Sequence, residues 1–361
     1  TDGSGGIDTL DGGVGTDLIS FGFTSDAITL DLSNTSSQAT GTQGSLIVSN
    51  IEDIYGGYGN DTLTGNSSSN TIKGGFGSDT LYGSSGNDTL NGGKNSEQNR
   101  FTITSGSNTI SFMVGSILIS ATSASANTSE LINSIISEFN SQNALTSTDL
   151  GTIGTDGTYI YLETAQTVST PTNLTVDNSF VSIDTVDYST LTGETVNVNL
   201  STQTVIKNNG STTSQDTIID IEQVIGGSGD DILIGDDNAN ILRGGAGNDT
   251  ITGGKGSDTL YGDAGNDTLD GGTGANTLIG GAGSDTYIVN SLNDIVVELA
   301  SNTGIDTITV KVSTYTVPQN IEEIFIDTKD IVIKGNNQDN IFYSSENDDN
   351  IDAQAGTNTI S

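Results

Sequence analysis

The first six positions of a nine-residue repeat carry the chemistry that this sequence suggests. The repeat reads Gly-Gly-x-Gly-x-Asp-x-U-x, with U a large aliphatic residue, and it recurs seven times without interruption from Gly226 to Ile288. Its glycines allow backbone conformations that other residues disfavour, and they leave carbonyl oxygens open to a ligand. The aspartate at position six adds a carboxylate. Turns of this composition favour a hard cation that binds oxygen.

Shorter arrays of the repeat lie at residues 3–20 and 56–91, and altered copies follow at 335–361. Two copies would form one coil, so turns on the same edge should recur one strand spacing apart, about 4.8 Å. Position-six carboxylates of successive coils would then face one another and repel. Because Ca²⁺ takes six to eight oxygen ligands, we expect several Ca²⁺ ions between the turns. Mg²⁺ fits such turns less well, and the absence of Cys and His disfavours zinc.

The candidate ligands are the position-six aspartates and the glycines of their turns. In the long array one edge carries only aspartates and predicts three sites, whereas Asn240 and Asn276 alternate with Asp258 on the other edge, where we expect fewer occupied sites. The predicted calcium-binding residues are Asp8, Asp17, Gly56, Gly59, Asp61, Gly74, Gly77, Asp79, Asp88, Gly226, Gly229, Asp231, Gly244, Gly247, Asp249, Gly256, Asp258, Gly262, Gly265, Asp267, Gly280, Gly283 and Asp285.

The arrays at the two ends of the chain raise separate expectations. Asp8 and Asp17 have no matching turn downstream, so we expect their partners to lie before Thr1. The chain also begins at Thr rather than Met, which favours a fragment or a processed product. In the last array position six reads Asn340, Asp349 and Asn358, and we expect weak calcium binding there or none.

Short strands must position these turns. Position eight of each repeat should point inward, giving a predicted core of Leu63, Ile72, Leu81, Leu90, Leu233, Leu242, Ile251, Leu260, Leu269, Leu278 and Tyr287. Alternating strands at 27–32, 196–200 and 308–312, each followed by an Ile-Glu pair at 51–52, 221–222 and 321–322, predict wider coils that cap the rolls. The fold class is therefore mainly β: parallel β-roll or β-helix solenoid arrays with a small α+β insert.

Four domains follow from this pattern. We expect a first β-roll module at 1–94, a Ser/Thr-rich α+β insert at 95–182, a second module at 183–288 and a third, decayed module at 289–361. Within the insert a helix is predicted near 129–140, because Leu131, Ile135 and Phe139 share one face. Strands are predicted on both sides of it.

The composition excludes several functions. Acidic residues outnumber basic ones 46 to 9, for a formal net charge of −37, which disfavours nucleic acid and anionic membranes as partners. Without Cys or His, thiolate and imidazole chemistry are impossible. Acid pairs such as Glu322 and Glu323 lie in a repeated strand motif, so we expect no catalytic residues and no enzyme activity. We also expect no cofactor besides Ca²⁺ and no membrane insertion.

The tandem nonapeptides closely resemble the RTX, or haemolysin-type calcium-binding repeat, proteins. That resemblance covers about half of the chain, in the four arrays. It implies a parallel β-roll with Ca²⁺ in the turns and type I secretion to the exterior or cell surface of a Gram-negative bacterium. It also implies a chain that stays unfolded in the low-calcium cytosol and folds outside, where modules of this kind bind Ca²⁺ at about 10⁻⁴–10⁻³ M.

Three functions remain open. The first is a structural protein of a bacterial S-layer or surface matrix, in which Ca²⁺ rigidifies stacked modules and bridges copies of the chain or other surface components. The second is the stalk or ligand-binding segment of an RTX adhesin. The third is the secretion and folding module of an RTX toxin or hydrolase. The modular pattern and the low aromatic content of 5% favour the first.

Overall fold

The computed structural model describes residues 6–22, 24–41, 44–93, 98–103, 109–114, 117–122, 152–155, 159–163, 174–177, 183–298, 304–344 and 349–361. Within these ranges every regular element is a β-strand. The helix predicted near 129–140 lies outside the described residues. The described part of the chain contains no helix long and apolar enough to cross a membrane.

The first sixteen strands precede Ile183. They are β1 (Ile7–Asp11), β2 (Leu18–Ser20), β3 (Thr29–Asp31), β4 (Gln38–Ala39), β5 (Ser45–Ser49), β6 (Asp53–Gly57), β7 (Thr62–Thr64), β8 (Thr71–Gly75), β9 (Thr80–Tyr82), β10 (Thr89–Asn91), β11 (Gln98–Ile103), β12 (Thr109–Val114), β13 (Ile117–Thr122), β14 (Thr152–Thr155), β15 (Tyr159–Glu163) and β16 (Leu174–Asp177).

The remaining strands are β17 (Thr185–Asp187), β18 (Thr195–Asn199), β19 (Thr204–Asn208), β20 (Thr213–Ile219), β21 (Gln223–Ile225), β22 (Ile232–Ile234), β23 (Ile241–Ala246), β24 (Thr250–Thr252), β25 (Lys255–Gly256), β26 (Thr259–Ala264), β27 (Thr268–Asp270), β28 (Thr273–Gly274), β29 (Thr277–Ala282), β30 (Thr286–Val289), β31 (Ile295–Val297), β32 (Thr307–Val310), β33 (Thr314–Thr316), β34 (Glu323–Ile326), β35 (Val332–Lys334), β36 (Ile341–Tyr343), β37 (Asn350–Asp352) and β38 (Thr359–Ile360).

The chain divides into two compact units. Unit 1 comprises Thr1–Leu63, Lys73–Asp79 and Gly92–Ile183, and unit 2 comprises Thr64–Ile72, Thr80–Asn91 and Asp184–Ser361. The four domains expected from the sequence stay a prediction at their stated boundaries.

Unit 1 combines coils with antiparallel strands. Strand β1 pairs in parallel with β5, and β2 pairs in parallel with β6. Strands β14, β15, β11 and β16 form an antiparallel sheet in that order, and β12 and β13 form an antiparallel pair. The strands predicted in the insert, on both sides of the proposed helix, are therefore present.

Unit 2 is built on two mainly parallel sheets. One runs β9-β17-β21-β23-β26-β29-β31, and the other runs β10-β20-β19-β18-β22-β24-β27-β30-β32-β34-β36-β38. Successive nonapeptides alternate between the sheets, so each sheet gains one strand for every two repeats: Leu242 lies beside Leu260, and Ile251 lies beside Leu269. This is the parallel β-solenoid that the period of the sequence predicts.

The predicted core is confirmed at every position. All eleven position-eight side chains, from Leu63 to Tyr287, are fully buried. Strands β22, β24 and β27 are three residues long and bury one side chain each. Burying a side chain of this size contributes roughly 1.5–3 kcal/mol, so a coil of two strands depends on few apolar contacts and needs its turns to be well bonded.

One antiparallel excursion interrupts the coils of unit 2. Strand β19 pairs antiparallel with both β18 and β20. Strand β20 then pairs in parallel with β10, and β18 pairs in parallel with β22. Because of this excursion, the coil from β17 to β21 is much longer than two nonapeptides, and Thr185 lies beside Gln223.

The solenoid continues beyond the seventh repeat. Tyr287 of β30 lies beside Ile308 of β32, which is followed in register by Ile324 and Phe342. All four side chains are buried. The coil from β30 to β32 is slightly longer than two nonapeptides, so the strand predicted at 308–312 forms a wider coil stacked on the roll, as expected.

Candidate calcium-binding turns

Backbone conformation explains the glycines at positions two and four of turns such as 244–249. In the turn 244–249, Gly245 and Gly247 have φ angles of 110° and 120°, which L side chains rarely adopt. A Cβ on Gly247 would also collide with the carbonyl oxygen of Gly229, one coil earlier. Position-four glycines therefore let successive turns stack backbone against backbone.

The position-six carboxylates form a ladder along the turns of unit 2. The backbone N–H of Asp231 donates to Oδ1 of Asp249 (2.7 Å), Asp249 donates in the same way to Asp267 (2.7 Å), and Asp267 to Asp285 (2.9 Å). In unit 1 the N–H of Asp61 donates to Oδ1 of Asp79 (2.8 Å). The expectation that these carboxylates face one another was wrong, because each turns one oxygen to the backbone of the previous coil.

The second carboxylate oxygen is what these turns leave unsatisfied. Among the described residues, no donor bonds Oδ2 of Asp61, Asp249, Asp258, Asp267 or Asp285, and all five side chains are buried. Burial raises the pKa of Asp61 and Asp249 to about 7, and those of the other three to about 6. A buried acceptor without a donor costs about 1–3 kcal/mol, and more if it is charged.

At Asp61, Asp258 and Asp267 this oxygen lies near a glycine carbonyl oxygen, in a place that only glycine leaves open. A Cβ on Gly253 would come within 2.5 Å of Oδ2 of Asp258 and 2.7 Å of the carbonyl oxygen of Gly271. Gly262 is placed in the same way against Asp267 and Gly280. We call this space the cradle: it is bounded by the position-one glycine, the Oδ2 of its own turn and the position-one carbonyl oxygen one coil later.

The cradles fit a calcium ion chemically. Their ligands would be the position-six carboxylate and the glycine carbonyl oxygen, which are the hard oxygen donors that Ca²⁺ prefers. A bound ion would place a positive charge beside Oδ2, which has no hydrogen-bond donor. The recurrence of the cradle in successive coils makes this a property of the repeat rather than of one turn.

A protein-family model describes this repeat. The model for the RTX calcium-binding nonapeptide repeat matches residues 2–28, 55–90, 225–260, 261–296 and 332–360. The chain carries RTX calcium-binding repeats. A search of the curated proteins found no match to this chain.

Asparagine changes the RTX turn on the opposite edge. Asn276 uses Oδ1 to accept the N–H of Asp258 (3.0 Å), so its Nδ2 occupies the position of the second carboxylate oxygen and donates to Asp294 (3.0 Å). A Cβ on Gly271 would lie 2.6 Å from that nitrogen. At Asn276 the NH₂ group thus points a donor into the cradle, where a cation needs an acceptor. Asn240 is turned the other way, since its Oδ1 lies beside Gly235 and accepts the N–H of Asp236.

The other predicted site residues fall into the same two roles. Some position-one glycines lie against the position-six carboxylate of their own turn: Gly56, Gly74, Gly226, Gly244 and Gly280. Some position-four glycines lie against the position-four glycine of the preceding coil: Gly77 against Gly59, Gly265 against Gly247, and Gly283 against Gly265. Gly256 lies against Asn238. In its turn Asp231 differs from the orphaned aspartates, because its Oδ2 accepts the N–H of Gly227 (2.6 Å).

Asp8 and Asp17 contact later residues through their backbones, and the expectation that their carboxylates have partners before Thr1 stays a prediction. Asp8 lies in β1 beside Leu46 of β5. The N–H of Asp17 donates to Oε2 of Glu52 (2.9 Å), and its carbonyl oxygen accepts the N–H of Glu52 (3.1 Å). The coils of both aspartates are therefore followed by a later coil, through the parallel pairs β1–β5 and β2–β6.

The Ile-Glu motif has a defined role in this ladder. Glu222 accepts the N–H of Asp184 (2.9 Å), and Glu322 accepts the N–H of Asp306 (2.9 Å), as Glu52 does for Asp17. In each case the glutamate carboxylate does for a wider coil what a position-six aspartate does within an array. The sequence showed the recurrence of the motif but not the atoms that it joins.

Sequence reasoning missed four members of the ladder. Asp294 accepts the N–H of Asn276 (3.1 Å), and Asp306 accepts that of Asp285 (2.7 Å). Asp216 accepts the N–H of Asp88 (3.1 Å), while Asp184 donates to Glu222. The period offered a signal for Asp294, which follows Asn276 at the spacing of two repeats, but the wider coils of the other three obscured it.

In the last array the amide nitrogens of Asn340 and Asn358 bond within the protein, while Oδ1 of Asn340 has no donor among the described residues. Asn340 donates its N–H to Oδ1 of Asn358 (2.9 Å) and its Nδ2 to the carbonyl oxygen of Ile321 (2.8 Å). Oδ2 of Asp349 accepts the hydroxyl of Ser344 (2.7 Å). These contacts favour the prediction of weak calcium binding or none in this array.

Proposed function

We propose that this RTX-repeat chain is a secreted, extracellular structural protein that folds and becomes rigid when it binds Ca²⁺, as part of a Gram-negative surface layer or matrix. The observation that carries the proposal is the cradle, in which a buried carboxylate oxygen with a raised pKa lies beside a glycine carbonyl oxygen, as at Asp61, Asp258 and Asp267. Such a turn is costly without a cation and stable with one.

The roles of the acidic side chains support a structural rather than a catalytic function. Glu322, which belongs to the acid pair that could suggest acid–base chemistry, accepts a backbone N–H from Asp306. Glu323 pairs through its backbone in β34. We therefore propose no enzyme activity, and we assign these carboxylates to coil stacking.

Calcium dependence is tested by circular dichroism during chelation and calcium return. The β signal should collapse when a chelator removes Ca²⁺ and recover when Ca²⁺ is restored. A spectrum that ignores chelation would overturn the proposal.

A matched pair of variants assigns the effect to the cradles. Asp249→Asn keeps the ladder acceptor but places an NH₂ group in the cradle, as Asn276 does. It should raise the midpoint calcium concentration about tenfold, because losing a charged ligand weakens Ca²⁺ binding and about 1.4 kcal/mol corresponds to a factor of ten. Asn276→Asp should lower the midpoint. Asp249→Ala and Asp267→Ala should raise it far more than Asn240→Ala, whose side chain already lacks a carboxylate.

The surface-layer part of the proposal needs its own assay. Purified chain at millimolar Ca²⁺ should assemble into ordered sheets or fibres visible by electron microscopy, and chelation should dissolve them. A calcium-folded chain that stays monomeric at high concentration would contradict the lattice and favour the adhesin-stalk or secretion-module alternatives.

A further inference from the structure

One RTX turn of unit 2, at 83–88, faces a lysine from a neighbouring strand at the place where turns such as those of Asp249 and Asp267 leave an oxygen unsatisfied. Lys207 lies in β19, and only 2% of its side chain is exposed. Its Nζ donates to the carbonyl oxygen of Ser84 (2.7 Å) and lies 2.8 Å from Oδ1 of Asp216 and 3.5 Å from Oδ2 of Asp88. Both carboxylate side chains are completely buried.

Two of the three oxygens around this ammonium group belong to a carboxylate ladder of the same kind as that of the cradles, and the third is a carbonyl oxygen of an RTX turn. Asp88 occupies position six of the turn 83–88, Ser84 occupies position two, and Asp216 accepts the N–H of Asp88 as the next member of the ladder. At Asp249 and Asp267 the corresponding Oδ2 has no donor among the described residues, whereas at Asp88 it faces Nζ.

The antiparallel excursion explains how the lysine reaches this position. In β19 the side chains of Val205 and Lys207 are buried while Ile206 between them is exposed. Strand β19 lies between β18 and β20, and β20 carries Asp216 and pairs with β10. A regular coil of two nonapeptides has no such extra strand, so it offers no inward-pointing cation at this level.

We propose that the Lys207 ammonium group is a tethered cation that replaces Ca²⁺ between the turn 83–88 and the coil carrying Asp216, so that this junction closes without calcium. The inference rests on the proposed calcium binding of the other turns. It assigns Asp88, a predicted calcium ligand, to the lysine instead.

The test counts calcium ions per chain by equilibrium dialysis and elemental analysis, with folding verified by circular dichroism at saturating Ca²⁺. Lys207→Ala removes the ammonium group and leaves space among three oxygens, so the count should rise by one. Lys207→Met fills the space without charge, and its count should stay at the wild-type value. Lys255→Ala, which removes an exposed ammonium group paired with exposed Asp237 (2.6 Å), controls for net charge and should not change the count.

A second pair of variants keeps the proposal testable if Lys207→Ala fails to fold. Asp88→Asn should leave the calcium count unchanged, whereas Asp249→Asn should lower it by one. An unchanged count in Lys207→Ala, or a count lowered by Asp88→Asn, would overturn the proposal. If the wild-type chain binds no calcium at all, the proposed function fails as well, so the two failures are distinguishable.

A separate cluster lies where the wider coil follows the last full repeat. Asp285, Glu298 and Asp306 are buried, and each offers a carboxylate oxygen within 4.8 Å of the other two. No donor among the described residues bonds Oδ2 of Asp285. One Ca²⁺ binding three oxygens at about 2.3–2.6 Å would hold them at most about 5 Å apart, so a single ion can contact all three.

Glu298 makes this cluster different from the repeated turns. It follows β31, outside the residues that the repeat model matches, and its Oε2 accepts the hydroxyl of Tyr287. Tyr287 replaces the aliphatic residue of position eight, and its hydroxyl in turn accepts the N–H of Gly280 (2.9 Å). Tyr287 thus fixes the glutamate beside the position-one glycine of the last full turn.

We infer that Asp285, Glu298 and Asp306 form a divalent-cation site with three carboxylates, built partly from outside the nonapeptides. Such a site should bind Ca²⁺ more tightly than a turn with one carboxylate, because affinity rises with the charge of the ligands. This inference also depends on calcium binding by the chain, and wild-type binding tests that assumption separately.

Calcium counting tests this site too. Glu298→Gln keeps an acceptor for the Tyr287 hydroxyl but removes one charge, and at limiting Ca²⁺ it should lose one bound ion relative to wild type. Asp306→Asn should lose the same ion, and the double variant should lose no more than one. Glu323→Gln controls for net charge. Variants that fold and keep the wild-type count would overturn the inference, and a site that binds Mg²⁺ equally well would overturn its assignment to Ca²⁺.

Discussion

Acidification should stabilise the calcium-free protein, because burial raises the pKa of its cradle aspartates. The pKa of Asp249 rises from 3.8 to about 7, and those of Asp258, Asp267 and Asp285 to about 6. Between these values the folded chain holds protons that the unfolded chain releases. This contribution to stability is fully present below pH 3.8 and is lost as the pH rises through about 6 to 7.

The size of the effect follows from proton linkage. Each such carboxylate changes the free energy of unfolding by at most about 1.4 kcal/mol per pH unit inside its window. Asp249 alone should therefore contribute about 2 kcal/mol between pH 7 and pH 5. The sum over the array is smaller than the number of aspartates suggests, because neighbouring charges such as Asp267 are among the causes of the shift at Asp249.

Calcium should reverse the sign of this dependence. With saturating Ca²⁺ the same carboxylates stay charged as ligands, so protons compete with the ion and acidification weakens the fold. The same protein should thus gain stability on acidification in chelator and lose it in calcium.

Circular dichroism of the calcium-free chain at pH 5, 6 and 7 measures the first slope, as the folded fraction recovered on acidification. Urea unfolding in saturating Ca²⁺ at the same pH values measures the second. Asp249→Asn should reduce the pH slope in chelator by about one proton. Asp327→Asn removes the same charge from an exposed residue and should leave the slope unchanged. Equal slopes for wild type and Asp249→Asn, or the same sign with and without calcium, would refute the reasoning.

Two further substitutions test the cradle and the core separately. Gly262→Ala would push a Cβ against Oδ2 of Asp267 and the carbonyl oxygen of Gly280, so it should lower the calcium count, measured by elemental analysis, by one. Gly6→Ala is the control: no atom lies within 4 Å of its Cβ, and the count should stay unchanged. Ile251→Ala removes a fully buried side chain and should cost about 2–5 kcal/mol in calcium-saturated urea unfolding. Ile232→Ala, at a side chain 42% exposed, should cost far less, and equal costs would contradict the inward ladder.

The period of the sequence was sufficient to predict the core of the solenoid. Each short strand turns one side chain inward. The large residue at position eight of each repeat can therefore be assigned to the core without knowing any contact. Leu242, Leu260 and Leu278 accordingly stack in register at intervals of two repeats. The strands of the wider coils were also predictable, because their side chains alternate.

The atoms of the turns could not be derived in the same way. A period locates the Cβ of Asp249 but does not reveal that Oδ1 accepts the N–H of Asp231. Contacts across irregular coils could not be predicted from the period at all. Asp88 contacts Asp216, 128 residues later in the chain, and Lys207 joins them only because β19 runs antiparallel. Nothing in the spacing of these three residues indicates that they meet.

The two oxygens of a position-six carboxylate have separate roles, and this explains how coils can differ in calcium dependence while keeping the same fold. Oδ1 holds the ladder, and Asn276 performs that task as well as Asp267 does. Only the second atom decides whether a cradle presents an acceptor or a donor to a cation. Substituting asparagine removes the need for an ion by removing the charge, whereas Lys207 removes the need by supplying an opposite charge. Salt should therefore act differently on exposed and buried charges. Screening weakens the repulsion between exposed carboxylates, whereas the ion pairs of the buried Lys207 are screened much less. Proteolysis at subsaturating Ca²⁺ and rising salt should therefore cleave the Lys207 junction last.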